Sequence, residues 1–262
     1  MRKILLALSF LALFTPLVAT DEPAPAPAPE EEESEDTPYF PTEMINLKMP
    51  NQQEPHDVIL TITHRFQGLL RSAPIEDANL LLGLKYIVSP KIELESYYAD
   101  HQNEYSIGAG YYFLDSKLIQ GQLNVTAFDY KDLRFDKRSI NAFYQLSMNT
   151  KPILQTITPV VNAGYDGYFE RFGYGYGLKY GINIKDSTIK KVNLIGEYYP
   201  IFNPENGITE AQRAYCYGIG IDTFRHNFVL SASNSTDTGV RRMMLGAPDK
   251  ILHFGFNIII KL

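Results

Sequence analysis

From Asp57 to the end of the chain, hydrophobic positions recur at every second residue, which sets successive side chains on opposite faces of an extended strand. In FGYGYGLKYGI, residues Phe172, Tyr174, Tyr176, Leu178, Tyr180 and Ile182 share one face, and Gly173, Gly175, Gly177, Lys179 and Gly181 share the other. The final residues repeat the pattern, with Phe254, Phe256, Ile258, Ile260 and Leu262 opposed to Gly255, Asn257, Ile259 and Lys261. A helix would scatter these positions around its axis. The alternation predicts twelve strands, near 57–66, 79–88, 91–99, 104–113, 119–130, 138–148, 156–166, 172–183, 190–199, 214–224, 226–234 and 251–262. Most are long enough to cross a bilayer at a tilt, and longer than the usual strand of a soluble sheet.

The connections differ in kind. Those after the second, fourth and tenth segments (VSPK, LDSK, TFRH) are tight, and those after the sixth and eighth are moderate. Those after the first, fifth, ninth and eleventh are long and polar. Long and short connections that tend to alternate are what an up-and-down barrel produces when short turns face the periplasm and long loops face outward. Both termini then lie on the periplasmic side, and the strand number is even.

Which face is outside follows from the polar face. On the fourth, eighth and tenth segments it is mostly small and neutral: Ser106, Gly108 and Gly110; Gly173 to Gly181; Cys216, Gly218 and Gly220. A sheet surface in water is richer in Lys and Glu, whereas small residues suit a crowded interior. Tyr98, Tyr111, Phe113, Tyr165, Tyr198 and Phe202 lie toward strand ends, where aromatic rings meet lipid headgroups. We read 57–262 as an all-β, antiparallel, up-and-down transmembrane β-barrel in contact with outer-membrane lipid. The alternative is a soluble periplasmic barrel with an apolar ligand inside.

The N-terminus fits export. Arg2 and Lys3, an apolar run from Ile4 to Phe14, Pro16 and Ala19 form a signal peptide over residues 1–19, too short to span a membrane as a helix. Residues 20–56 read as a disordered spacer, because DEPAPAPAPEEEESEDTPYFP cannot bury a core. It is either a solubilising leader or a tether toward a periplasmic or cell-wall partner. Eight acids and no base fall between Asp21 and Asp36; from Thr37 onward acids and bases balance at 22 each, which excludes the basic face a nucleic-acid partner needs. The lone Cys216 excludes an intramolecular disulfide.

If the polar face lines the lumen, its charges are Arg65, Lys85, Glu93, Glu95, Lys179, Glu197, Asp222 and Lys261. Lys85 and Glu93 flank the VSPK turn, and Lys179 and Glu197 flank KDSTIKK, so each pair is expected to lie roughly opposite across neighbouring strands. Such pairs either neutralise a packed interior or constrict a channel. The chain carries no GxSxG, HExxH, P-loop or strand-to-helix GxGxxG. His56, His64, His101, His226 and His253 lack metal-ligand spacing, so no metal or cofactor is expected. An outer-membrane hydrolase would need Ser, His and acid gathered from separate strands, for which Asp222, His226 and Ser231 are the nearest candidates. The reading is therefore non-enzymatic: a narrow channel, or a binding or structural platform.

THRF (63–66), GLKYIV (83–88), VTAF (125–128), GEYYPIF (196–202), IGIDTFRHNFVLSASNS (219–235) and LHFGFNI (252–258), in this order, resemble a family of exported bacterial β-barrel proteins, domain of unknown function 5777. The resemblance spans 57–262 and implies an outer-membrane barrel, with no substrate or catalytic residue to carry over. Where members tend to carry Gly-Gly after GIDT, this chain has Phe224 and Arg225.

Overall fold

A computed structural model describes residues 41–66, 78–100, 103–132, 137–154, 156–184, 188–200, 212–248 and 250–262. The expected signal peptide and the spacer up to residue 40 lie outside these. Among the described residues the chain forms twelve strands: β1 (Val58–Phe66), β2 (Ala78–Ser89), β3 (Ile92–Ala99), β4 (Glu104–Asp115), β5 (Ile119–Asp132), β6 (Lys137–Thr150), β7 (Ile157–Asp166), β8 (Arg171–Asn183), β9 (Lys191–Tyr199), β10 (Ala214–Asp222), β11 (His226–Ser233) and β12 (His253–Lys261). Each pairs antiparallel with its neighbours in sequence, and β1 pairs with β12 from Ile59↔Lys261 to Arg65↔Gly255. The sheet is a closed up-and-down barrel of twelve strands with no open edge.

The period-two pattern carries through. Tyr174 and Tyr176 are exposed while Gly175 is buried between them, and Asn257 is fully buried beside the outward Phe256. An inward apolar face is thereby ruled out. Most apolar strand residues look outward, and the face that carries the glycines encloses the interior.

The barrel has two distinct ends. At the turn end the connections are 90–91, 116–118, 151–156, 184–190 and 223–225. Ser116 closes one of these turns by accepting from the Leu118 and Ile119 amides at 3.3 and 2.9 Å. The 223–225 turn closes with Thr223 N–H donating to His226 O at 2.8 Å, and neither Phe224 nor Arg225 has positive φ, so no glycine pair is required there. At the loop end the connections are 67–77, 100–103, 133–136, 167–170, 200–213 and 234–252. The connection after β5, expected to be long, is short because the β5–β6 ladder runs out to Asp132↔Lys137.

One sequence-based expectation is overturned. Residues 41–56 do not belong to a disordered spacer: every residue from 41 to 50 is buried within the barrel. The segment is a small hairpin, with Met49 N–H donating to Thr42 O at 2.8 Å, Met44 N–H to Leu47 O at 2.9 Å, and a bridge between Glu43 and Lys48. Met44, Ile45, Leu47 and Met49 give it the apolar content that the preceding proline and glutamate run lacks.

Candidate functional site: the stoppered lumen

The interior is filled from both ends. From the turn end, hairpin 41–51 rises along the barrel axis. At the loop end, the 234–252 connection folds inward and places a short helix, α1 (Val240–Met244), across the opening. Met44, Ile45 and Leu47 of the hairpin and Met243 and Met244 of α1 share one apolar cluster with Phe128, Phe143, Val160, Ile195 and Tyr199 of the wall. The two inserts touch where Gly239 N–H donates to Asn46 Oδ1 at 3.1 Å.

The inward glycines make this filling possible. A Cβ on Gly177 would lie 2.8 Å from Leu47 Cδ1 and 3.0 Å from Met44 Cε; one on Gly218 would lie 2.9 Å from Ile45 Cδ1, and one on Gly173 2.6 Å from Met244 Cβ. The small face read from the sequence as a crowded lumen is crowded by these two segments.

Polar contacts hold the hairpin. Three successive amides, of Ile45, Asn46 and Leu47, donate to Glu197 Oε1 at 2.8, 2.8 and 3.0 Å. Glu197 Oε2 accepts from Tyr199 Oη at 3.0 Å and Asn46 Nδ2 at 3.2 Å. A carboxylate that accepts a run of backbone N–H groups in place of water satisfies both sides of the contact. Asn162 clamps Lys48 by accepting from its amide at 2.8 Å and donating to its carbonyl at 2.9 Å. Asn257 Nδ2 donates to Ile45 O at 2.7 Å. Lys48 Nζ pairs with Glu95 at 2.5 Å, and Glu43 with Lys85 Nζ at 2.7 Å.

Seven of the eight sequence-derived charges therefore lie buried in the interior: Arg65, Lys85, Glu93, Glu95, Lys179, Glu197 and Asp222. The eighth, Lys261, sits at the turn-end rim, 2.9 Å from Asp57. The expected partnerships are corrected. Lys85 stands opposite Glu95, not Glu93, and both bind the hairpin. Glu93 accepts from Tyr112 Oη at 2.7 Å. Lys179 lies opposite Ile195 and reaches Asp222 at 3.5 Å, leaving Glu197 to the hairpin amides. Arg65 Nη1 donates to Asn257 Oδ1 at 2.9 Å.

Six charges went unrecognised in the sequence: Glu43 and Lys48 of the hairpin, and Glu104, Asp166, Arg241 and Arg242. Arg241 pairs with Asp166 at 2.7 Å and with Glu104, and Arg242 pairs with Glu104 at 2.7 Å. The Arg241 guanidinium also lies 3.8 Å from the centre of the Phe128 ring. The adjacent Arg-Arg and Met-Met pairs in an outward loop were the available signal. Asp222, His226 and Ser231 do not converge. His226 stacks on Phe228 on the outer face, Asp222 binds Asn193 and Asn227 inside, and Ser231 lies four positions up β11 from Asn227.

No family model and no curated protein matches this chain. Among solved structures it is similar to a KdgM porin, at 8% identity and a TM-score of 0.49, covering 78% of this chain and 99% of that one. It is also similar to OccK11 (OpdR) of Pseudomonas aeruginosa, at 10% identity and a TM-score of 0.35, covering 79% of this chain and 63% of that one. OprD of the same organism matches at 10% identity and a TM-score of 0.35, covering 78% and 64%.

Proposed function

We propose that this chain is an exported, non-enzymatic outer-membrane barrel of the kind its resemblance to the 5777 family implies, and that it rests as a closed pore. The observation that carries the reading is its outer surface. On β4, the outward row runs from Tyr105 through Ile107 and Ala109 to Tyr111 and Phe113, rings at both ends and aliphatics between. Ile107, Ile140, Phe172 and Leu230 are each at least two-thirds exposed, which water would penalise and hydrocarbon favours. At the loop end, Tyr98–Tyr105 and Tyr165–Phe172 form contacting outward pairs with ring centres 4.7 and 4.8 Å apart. Closed pairing leaves no strand edge facing lipid. Short turns then face the periplasm, and the loop end, capped by α1, faces outward.

The test is fractionation of cells expressing the full chain. Recovery in the outer-membrane fraction, with heat-modifiable gel migration in detergent, is the expected result; recovery as a detergent-free soluble protein would refute the reading.

A further inference from the structure

The hairpin has the topology of a stopper. Both of its ends lie at the turn end: Asn51 Nδ2 donates to Pro41 O at 2.8 Å, and Asn51 contacts Tyr112 and Asn149, each near the turn end of its strand. A segment that goes in and out by one mouth leaves without threading and without breaking a strand pair. The wall it vacates has replacement partners at hand. Lys85 and Glu95, which bind Glu43 and Lys48 of the hairpin, stand directly opposite each other on β2 and β3. Asn162, freed of Lys48, already accepts from Gln145 Nε2 at 2.9 Å. Buried ion pairs gain little net stability over their solvated components, so these anchors hold the hairpin in place without making it permanent.

What withdrawal exposes is also set. A cavity of about 100 Å³ already lies beside the hairpin on the β2–β6 side, running from Lys48 and Glu95 past Tyr97 to Glu104, Arg241 and Arg242 at the loop end. The hairpin supplies part of its floor through Glu43, Ile45 and Lys48. Removing that floor joins the cavity to the turn-end mouth, past Glu93, Gln122, Asn124 and Tyr112. The α1 backbone packs on β7, β8 and β10, and its Val240, Arg241 and Arg242 side chains border this path at the loop end. The charges along the path are unequal. Glu104 is matched by Arg241 and Arg242, and Lys85 can neutralise Glu95 alone, which leaves the Glu93 carboxylate in excess toward the turn end. One uncompensated carboxylate in a narrow, low-dielectric passage favours cations.

We propose that residues 41–51 are a withdrawable stopper, and that the barrel without them conducts small cations along the β2–β6 wall past Glu93. This rests on the outer-membrane reading above, and vesicle flotation separates the two: a hairpin-deleted chain that floats with lipid vesicles but carries no current refutes the stopper and leaves the membrane reading standing.

The experiment is planar-bilayer recording of the otherwise full chain with residues 42–50 deleted. A steady current at least about tenfold above that of the intact chain is expected, with a reversal potential in a KCl gradient displaced toward that of potassium. Glu93→Gln in the same deletion should abolish the displacement. A folded, inserted deletion variant that is silent, or one that prefers chloride, overturns the proposal. Should the deletion fail to fold, Asn46→Cys takes its place, because Asn46 Nδ2 lies 3.2 Å from the Sγ of Cys216, the chain's one native thiol. Oxidised, the new pair locks the hairpin to β10 and every current step should vanish; reduced, steps should return under applied voltage. Silence in both redox states overturns the proposal as well.

Discussion

Glu197 shows how one side chain can decide the state of the interior. It gathers three backbone amides, an asparagine amide and a tyrosine hydroxyl, and among the described residues no other wall residue binds the hairpin so often. Glu197→Gln replaces charge-assisted bonds with neutral ones and is expected to weaken hairpin docking by about 2 kcal/mol. Limited trypsin digestion of the folded barrel should then cut at Lys48, which the intact protein protects. On the opposite surface, Ile107→Arg places a charge on the lipid face of β4 and should cost ~2–4 kcal/mol in a urea titration in vesicles if the site lies near the bilayer midplane. A change of a few tenths of a kcal/mol would place Ile107 in water instead. At this scale much was legible: the two-residue period assigned Tyr174 and Phe256 outward and Gly175 and Asn257 inward. The partners of the inward charges were not legible, because they come from residues up to 192 positions away in sequence.

Among the elements, all twelve strands could be read from alternation, with ends shifted by only a few residues. The two inserts could not. The hairpin spans few residues and follows a proline-rich run whose composition dominates the reading, while α1 is a five-residue helix with no side-chain cap, held by tertiary contacts alone. Those contacts are apolar through Met243 and Met244 and ionic through Arg241 and Arg242, and Arg241→Met would strip Asp166 of its guanidinium partner inside the barrel, at a cost of about 3 kcal/mol. Hydrogen exchange should rise at residues 240–245 while the strand amides remain protected. Equal loss of protection in β7 and β8 would show instead that α1 is integral to the wall.

For the molecule as a whole, the pairing of β1 with β12 means that the cylinder cannot close until the last strand is in place. The hairpin is made before β1, yet Asn257, which fixes the Ile45 carbonyl, lies 212 residues later on that last strand. Contacts so distant in sequence form slowly, because ordering the intervening chain must come first. Refolding into detergent should therefore show strand signal by circular dichroism before protection of Lys48 from trypsin. Such a lag would make every newly assembled copy briefly hollow, so that leakage during biogenesis rather than in the resting cell becomes the hazard, one that ends only when the hairpin docks.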